Sequence, residues 1–206
     1  MTLSGPKTDK ILVTRLLNQH NVDLNLCGVG THQPLEELIS RLRLGELELV
    51  TTDNDRKLEI RQGTIIVRVL HKLPDLTFQE IFRRITIFPD NSSLQSYTPG
   101  LVGIDNHKRE KCEIARQIVF DNLGQSVPRL ATIRPGAFIP KPKRDEVIVT
   151  ERSSIWYGIK VVTRVTHFDL ILPEKFYKKE YIKRVRTITG KIHKTTYFDW
   201  RTVAEM

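Results

Sequence analysis

The chain has 206 residues, 39% of them hydrophobic and 28% charged, the balance of an ordinary folded domain rather than a disordered or fibrous one. No apolar run approaches the roughly 18 residues of a membrane-spanning helix. The start of the chain lacks the pattern of a secretory leader, and two cysteines, Cys27 and Cys112, are too few for a disulfide framework or a zinc cluster. Reduced thiols, and with them the cytoplasm or another reducing compartment, are expected.

The first segment reads as two helices. Residues 11–20 place Ile11, Leu12, Arg15, Leu16 and Gln19 at helical spacing. A second helix starts around Thr31, Pro34 and Glu36-Glu37 and ends at Gly45, with Leu35, Leu38, Ile39 and Leu42 as its buried stripe. Between them, Gly28-Val29-Gly30 lacks the preceding strand, the third glycine and the lysine of a phosphate loop, so it is read as an inter-helix turn. Residues 1–50 are therefore set apart as an N-terminal helical extension, and residues 51–206 as an α+β domain.

From residue 46 onward the chain is strand-rich. A turn at Asp53-Asn54-Asp55 precedes strands over 57–62 and 64–70, the second β-branched like a core strand. Residues 77–88 alternate in part, and 89–100 read as a turn-rich loop. One clear helix follows over 107–123, with Cys112, Ile114, Ala115, Ile118, Val119 and Leu123 on its buried face and Gly124 as its stop. Beyond it are expected a strand over 129–133, a surface loop over 135–146, a bent strand or hairpin over 154–172, and a short terminal strand over 195–200.

The net charge of +9 is concentrated: between Lys175 and Lys194 eight cations face one acid, Glu180, so this run holds +7. Phe176, Tyr177 and Tyr181 lie among the cations, the composition of a nucleic-acid contact. The alternative is a solvated lysine-rich hairpin with its aromatic rings in the core. On the binding reading, Lys178, Lys179, Lys183, Arg184, Arg186 and Lys191 hold a polyanion through its phosphate backbone, because no recognition helix or RNA-binding motif is present. The histidines at 20, 32, 71, 107, 167 and 193 show no metal-ligand spacing. His107, with Lys108 and Arg109, is weighed as a phosphate contact against a merely solvated loop. Ser92-Ser93 and Ser153-Ser154 lack the setting of a serine nucleophile.

The stretch GIDNHKREKCEIARQIVFDNLG, from Gly103 to Gly124, resembles the box of the Nudix hydrolases: G, five residues, E, seven residues, R-E, two residues, E-E, one residue, G. Aligned on both glycines, the first acid falls on Arg109, the Arg-Glu pair on Gln117-Ile118, and the closing acids on Asp121-Asn122. In that family the carboxylates hold Mg²⁺ or Mn²⁺, which polarises a diphosphate and activates water; here one of them survives. The resemblance, over about residues 61–200, implies a Nudix-like mixed sheet flanked by helices. Glu110 and Glu113 lie off the box register, and Glu113 and Asp121 are roughly 80° apart around a regular helix. Glu110, Glu113 and Asp121 are metal ligands only if the helix starts irregularly.

The reading chosen is a non-catalytic Nudix-like binding or scaffold protein, its basic C-terminal run meeting a protein or an RNA–protein assembly, with no cofactor. A divergent Mg²⁺-dependent hydrolase of nucleoside diphosphate-linked compounds is the first alternative, and a structural subunit of a larger complex the second.

Overall fold

The computed structural model describes residues 1–30, 32–52, 57–105, 109–151, 155–156 and 158–203, and only the backbone of 96–98. The expected turn at Asp53-Asn54-Asp55, Thr31, His107, Lys108 and the Ser153-Ser154 pair lie outside the described residues. In chain order the elements are β1 (Thr2–Leu3), α1 (Lys10–Gln19), α2 (Leu35–Leu44), β2 (Leu47–Thr52), β3 (Lys57–Lys72), β4 (Phe78–Ile87), β5 (Ser93–Pro99) and β6 (Leu101–Asp105). They continue with α3 (Lys111–Leu123), β7 (Phe138–Pro140), β8 (Glu146–Thr150), β9 (Lys160–Ile171), β10 (Tyr181–Arg186) and β11 (Ile192–Val203). The architecture is α+β and rich in strand. Among the described residues no helix is long and apolar enough to cross a membrane.

The chain divides into two compact units, one of Met1–Thr64, Ile104–Glu110 and Asp145–Thr166, the other of Ile65–Gly103, Lys111–Arg144 and His167–Met206. In the first, the Asp9 carboxylate caps α1 by accepting from the Ile11 N–H at 3.0 Å. The helix buries Val13, Leu16 and Leu17, whereas Ile11 is 68% exposed. The buried stripe is thus turned round the helix from the expected one, because the i, i+3, i+4 set starting at Val13 is wholly apolar. In α2, Glu36 and Glu37 in the first turn and Arg41 and Arg43 in the last suit the helix dipole. Gly45 ends it in the left-handed region at φ 75°. Leu38, Ile39 and Leu42 are buried as expected, in one core with Leu47 and Leu49 of β2, Leu58 and Ile60 of β3, and Trp156. β2 pairs antiparallel with β1 and with the first half of β3, and β8 with the first half of β9.

In the second unit β4 pairs antiparallel with β5 and with β11, and β11 with β10. Helix α3 lies over a core that includes Val67, Ile81, Phe168, Leu170 and Phe198. Ile114, Ala115, Ile118, Val119 and Leu123 are buried, as the sequence pattern requires. Gly103 is a strand residue of β6 rather than a loop opening. A Cβ there would collide with Ile118, whose Cδ1 would stand 2.5 Å away, so glycine is needed for close helix–strand approach.

Several expectations are corrected. Residues 89–100 are not all loop: the turn is confined to 88–92, where Asn91 takes φ 62° and Asp90 accepts from the Ser92 N–H, and β5 follows although its side chains are largely polar. Residues 128–132 form a short 3-10 helix instead of a strand, with Pro128 in its first turn and the Thr132 hydroxyl donating to the Arg129 carbonyl. The proline-rich loop contains β7, anchored by buried Phe138 and paired with β9. α3 starts at Lys111, leaving Arg109 and Glu110 ahead of it. β9 is one strand and not a hairpin, and the terminal strand is longer than expected.

One edge of the second unit is closed by side chains. The Gln125 amide donates to the Arg184 carbonyl and accepts from its N–H, both at 2.8 Å, and the Ser126 hydroxyl does the same for Ile182 at 3.2 and 2.8 Å. These residues imitate a neighbouring strand along β10.

Inside the same unit Arg68 grips Asp169 with two hydrogen bonds of 3.0 and 2.8 Å, and Lys141 lies 3.3 Å from the same carboxylate. Burial pushes the Asp169 carboxyl up, but the bonds from Arg68 and then Lys141 outweigh it, and the net shift is downward. Its stabilising contribution is therefore present above the ordinary carboxylate value and lost as pH falls through the lowered one. Arg68→Met should cost about 3 kcal/mol in denaturant unfolding at neutral pH, because it leaves a buried carboxylate with a single partner. The wild type's loss of stability in acid should be shallower in that variant. Gly103→Ala should cost about 1–3 kcal/mol by overpacking, and in a Gly103→Ala, Ile118→Ala chain the two penalties should fall short of their sum. Simple additivity would place the constraint elsewhere.

Candidate anion-binding site

The β10–β11 register sorts the basic run by face. Tyr181 stands opposite Phe198, Lys183 opposite Thr196, and Val185 opposite Lys194, while Arg184 stands opposite Thr195 on the other face. Continuing the sheet, Phe198 pairs with Arg83 of β4. The face that carries Lys183 and Lys194 borders a cleft of about 430 Å³, whose walls are Arg83, Gly100, Leu101, Val102, Asn122, Lys183, Lys194, Thr196 and Phe198. Three cations line it and no carboxylate does, among the described residues.

Asn122, in the last turn of α3, supplies the polar contact on the helix side. Its amide nitrogen donates to the Ile118 carbonyl at 2.7 Å, which turns its carbonyl oxygen to accept from Lys183 Nζ at 3.1 Å. Burial holds the Lys183 ammonium below the ordinary lysine value; the Asp121 charge acts upward against it, and the nearby Lys194 charge acts downward. The ammonium is thus held in a partly dry setting, where it interacts with an added anion more strongly than a surface lysine does.

The expected metal ligands do not assemble. Glu110 is exposed ahead of α3, Glu113 is bonded by Arg116 at 2.9 and 3.1 Å, and Asp121 accepts from the Gln117 amide at 2.7 Å. Both helical acids are engaged by neighbours three or four residues away on their own helix. Among the described residues no three His, Cys, Asp or Glu side chains gather as a cation site.

The expected polyanion residues are separated. Lys183 borders the cleft. Lys178, Lys179, Arg184, Arg186 and Lys191 are exposed, Lys178 donating to the Ser126 carbonyl and Arg186 to the Gly190 carbonyl at 2.9 Å. The aromatic residues of the run face inward: Phe176 and Tyr181 are buried, with the Tyr181 hydroxyl bonded to the Phe176 carbonyl at 2.8 Å. Tyr177 stacks on His71 at 4.1 Å between ring centroids. Arg83, Asn122 and Lys194 were not singled out as site residues. Strand alternation across the Gly190 turn would have placed Lys194 on the Lys183 face, but nothing local in the sequence brings Arg83 or Asn122 to it.

No family model matches the chain, and no curated protein matches it. Among solved structures, an Ap4A hydrolase from C. elegans is similar at 9% identity and a TM-score of 0.32, over 68% of this chain and 80% of that one. A binary complex of the C. elegans Ap4A hydrolase is similar at 10% identity and a TM-score of 0.30, over 55% and 69%. RenU, a Nudix hydrolase from M. smegmatis, is similar at 10% identity and a TM-score of 0.31, over 75% and 79%. Likeness at this level assigns the chain neither a family nor an activity.

Proposed function

We propose that the chain is a non-catalytic binding protein that takes a phosphate group of a polyanionic ligand directly, without a metal. The observation that carries this reading is the Lys183–Asn122 contact in a cleft lined by Arg83 and Lys194 as well. Asn122 occupies the last acidic position of the box-like stretch, and its partner is an ammonium. Mg²⁺ needs several oxygen ligands, including carboxylates, and it is repelled by the cations that border this cleft. The residues present do not fit the ion, so no hydrolytic step is derived through one.

On this reading the ancestry is Nudix-like, with the first helices as an added segment. Its support is the pair of glycines at 103 and 124: a Cβ on Gly124 would stand 2.5 Å from the Phe120 carbonyl oxygen, so both glycines serve close packing around α3. Exposed Lys179 and Lys191 extend contact along a longer polyanion, such as the backbone of an RNA in an RNA–protein assembly, whereas Arg184 stands on the face away from the cleft. A reducing compartment such as the cytoplasm suits the two free thiols.

Titration with inorganic pyrophosphate at low salt tests the cleft. Lys183→Met and Lys194→Met should each weaken binding about tenfold, the scale of one charge-assisted hydrogen bond. Unchanged affinity in both variants would remove the cleft from the reading. The pH dependence has a defined sign. Binding should weaken as pH rises through the lowered Lys183 value, before ordinary lysines titrate, and Lys183→Arg should move that limit upward. In the absence of ligand, stability should rise over the same window, because the unfolded chain then binds more protons than the folded one.

A further inference from the structure

The β10–β11 hairpin ends in a turn that bonds its polar groups to one another and exposes an apolar side chain. The Thr187 N–H donates to the Lys191 carbonyl at 2.8 Å, and the Gly190 N–H to the Thr187 carbonyl at 2.9 Å. The Thr187 and Thr189 hydroxyls are 2.8 Å apart, and the Arg186 guanidinium donates to the Gly190 carbonyl at 2.9 Å. Gly190 takes φ 81°, the left-handed conformation that closes the turn. Ile188 is fully exposed at the tip, and Ile192, at the start of β11, is 43% exposed. A β-branched apolar side chain at a tip departs from the small and polar residues that turns favour.

The charges behind the tip select what meets it. From Lys183 to Lys194 the chain carries Lys183, Arg184, Arg186, Lys191 and Lys194 and no acid. Lys183 and Arg186 donate to neutral oxygens, and none of the five has a carboxylate within ion-pair distance among the described residues. Glu180 and Asp199, the nearest acids along the chain, are both bonded by Arg84. Asp121 acts on Lys183, and Asp90 lies in the β4–β5 turn at the same end of the sheet, so five cations against these two acids still leave +3. The cations lie on both faces of the hairpin: Lys183 and Lys194 share the cleft face, and Arg184 stands on the other. An anion in the cleft meets one face alone, and an RNA backbone answers the cations but leaves Ile188 and Ile192 in water. An anionic lipid surface met end-on answers both, because its headgroups reach cations on either side while the apolar tip enters the interface. The bonds inside the turn suit that place, where backbone groups without partners are costly. We propose that the tip of the β10–β11 hairpin docks on an anionic membrane surface. Ile188 enters the headgroup boundary, and Arg184, Arg186, Lys191 and Lys194 lie against the lipid phosphates. This docking does not require an anion in the cleft.

Co-flotation of the full chain with vesicles at low salt tests the docking, using phosphatidylcholine alone and an equimolar mixture of phosphatidylcholine and phosphatidylserine. Binding to the mixed vesicles and not to the neutral ones is expected. Ile188→Ser, at a fully exposed position, should keep the circular dichroism of the wild type. It should bind the mixed vesicles about tenfold more weakly, the scale of withdrawing one large apolar side chain from the interface. Lys191→Gln should weaken binding about fivefold. No flotation with the mixed vesicles would overturn the proposal. Unchanged binding of Ile188→Ser would overturn it too, because the contact would then be charge alone. Whatever affinity a poly-uridine RNA has should be the same for Ile188→Ser and the wild type, and a matching loss there would overturn the proposal in favour of nucleic acid.

Discussion

The close approach of α3 to β6 is the constraint on which the second unit depends. With hydrogen in place of a side chain at Gly103, the Ile118 side chain can lie against the strand backbone. That contact fixes the depth of the helix over the core and, one turn further on, the position of Asn122. A helix held farther away would carry the Asn122 amide out of reach of Lys183, and the cleft would lose its polar contact on that side. A packing detail between two apolar neighbours therefore governs the geometry of a cationic site.

The unit handles its buried charges in two ways. Asp169 is nearly enclosed, with 3% of its side chain exposed, and it is answered by Arg68 and Lys141, so its charge is fully compensated and serves stability. Lys183 donates one hydrogen bond to the neutral Asn122 amide, and burial is the largest influence on it, with the Asp121 charge acting in favour of the ammonium and the Lys194 charge against it. Asp169 is held by direct ion pairs with two cations, whereas the direct hydrogen-bond partner of Lys183 is a neutral amide.

Much of the fold was legible in the sequence because periodicity reports burial directly. The stripe of α2 and the buried face of α3 were read from apolar spacing, and the core strand within β3 from its β-branched, apolar composition. What was missed depended on the backbone. β5 is held by pairing with β4 and not by apolar side chains, so its serines and glutamine read as loop. The helical turn at Pro128 has the apolar content of a strand, and only the conformation of proline and the Thr132 bond decide for it. The site was harder. The run from Lys175 to Lys194 was visible as charge, but a strand divides consecutive cations between two faces, and Arg83 and Asn122 reach the cleft through long-range pairing and helix packing.

The most direct measurement of the central claim is the affinity of the purified chain for inorganic pyrophosphate in excess EDTA and again in Mg²⁺, with release of orthophosphate followed in the same samples. Direct recognition by the cations around the cleft predicts saturable binding in EDTA, no strengthening by Mg²⁺, and no orthophosphate. Binding that appears only with Mg²⁺, or steady release of orthophosphate, would contradict the account.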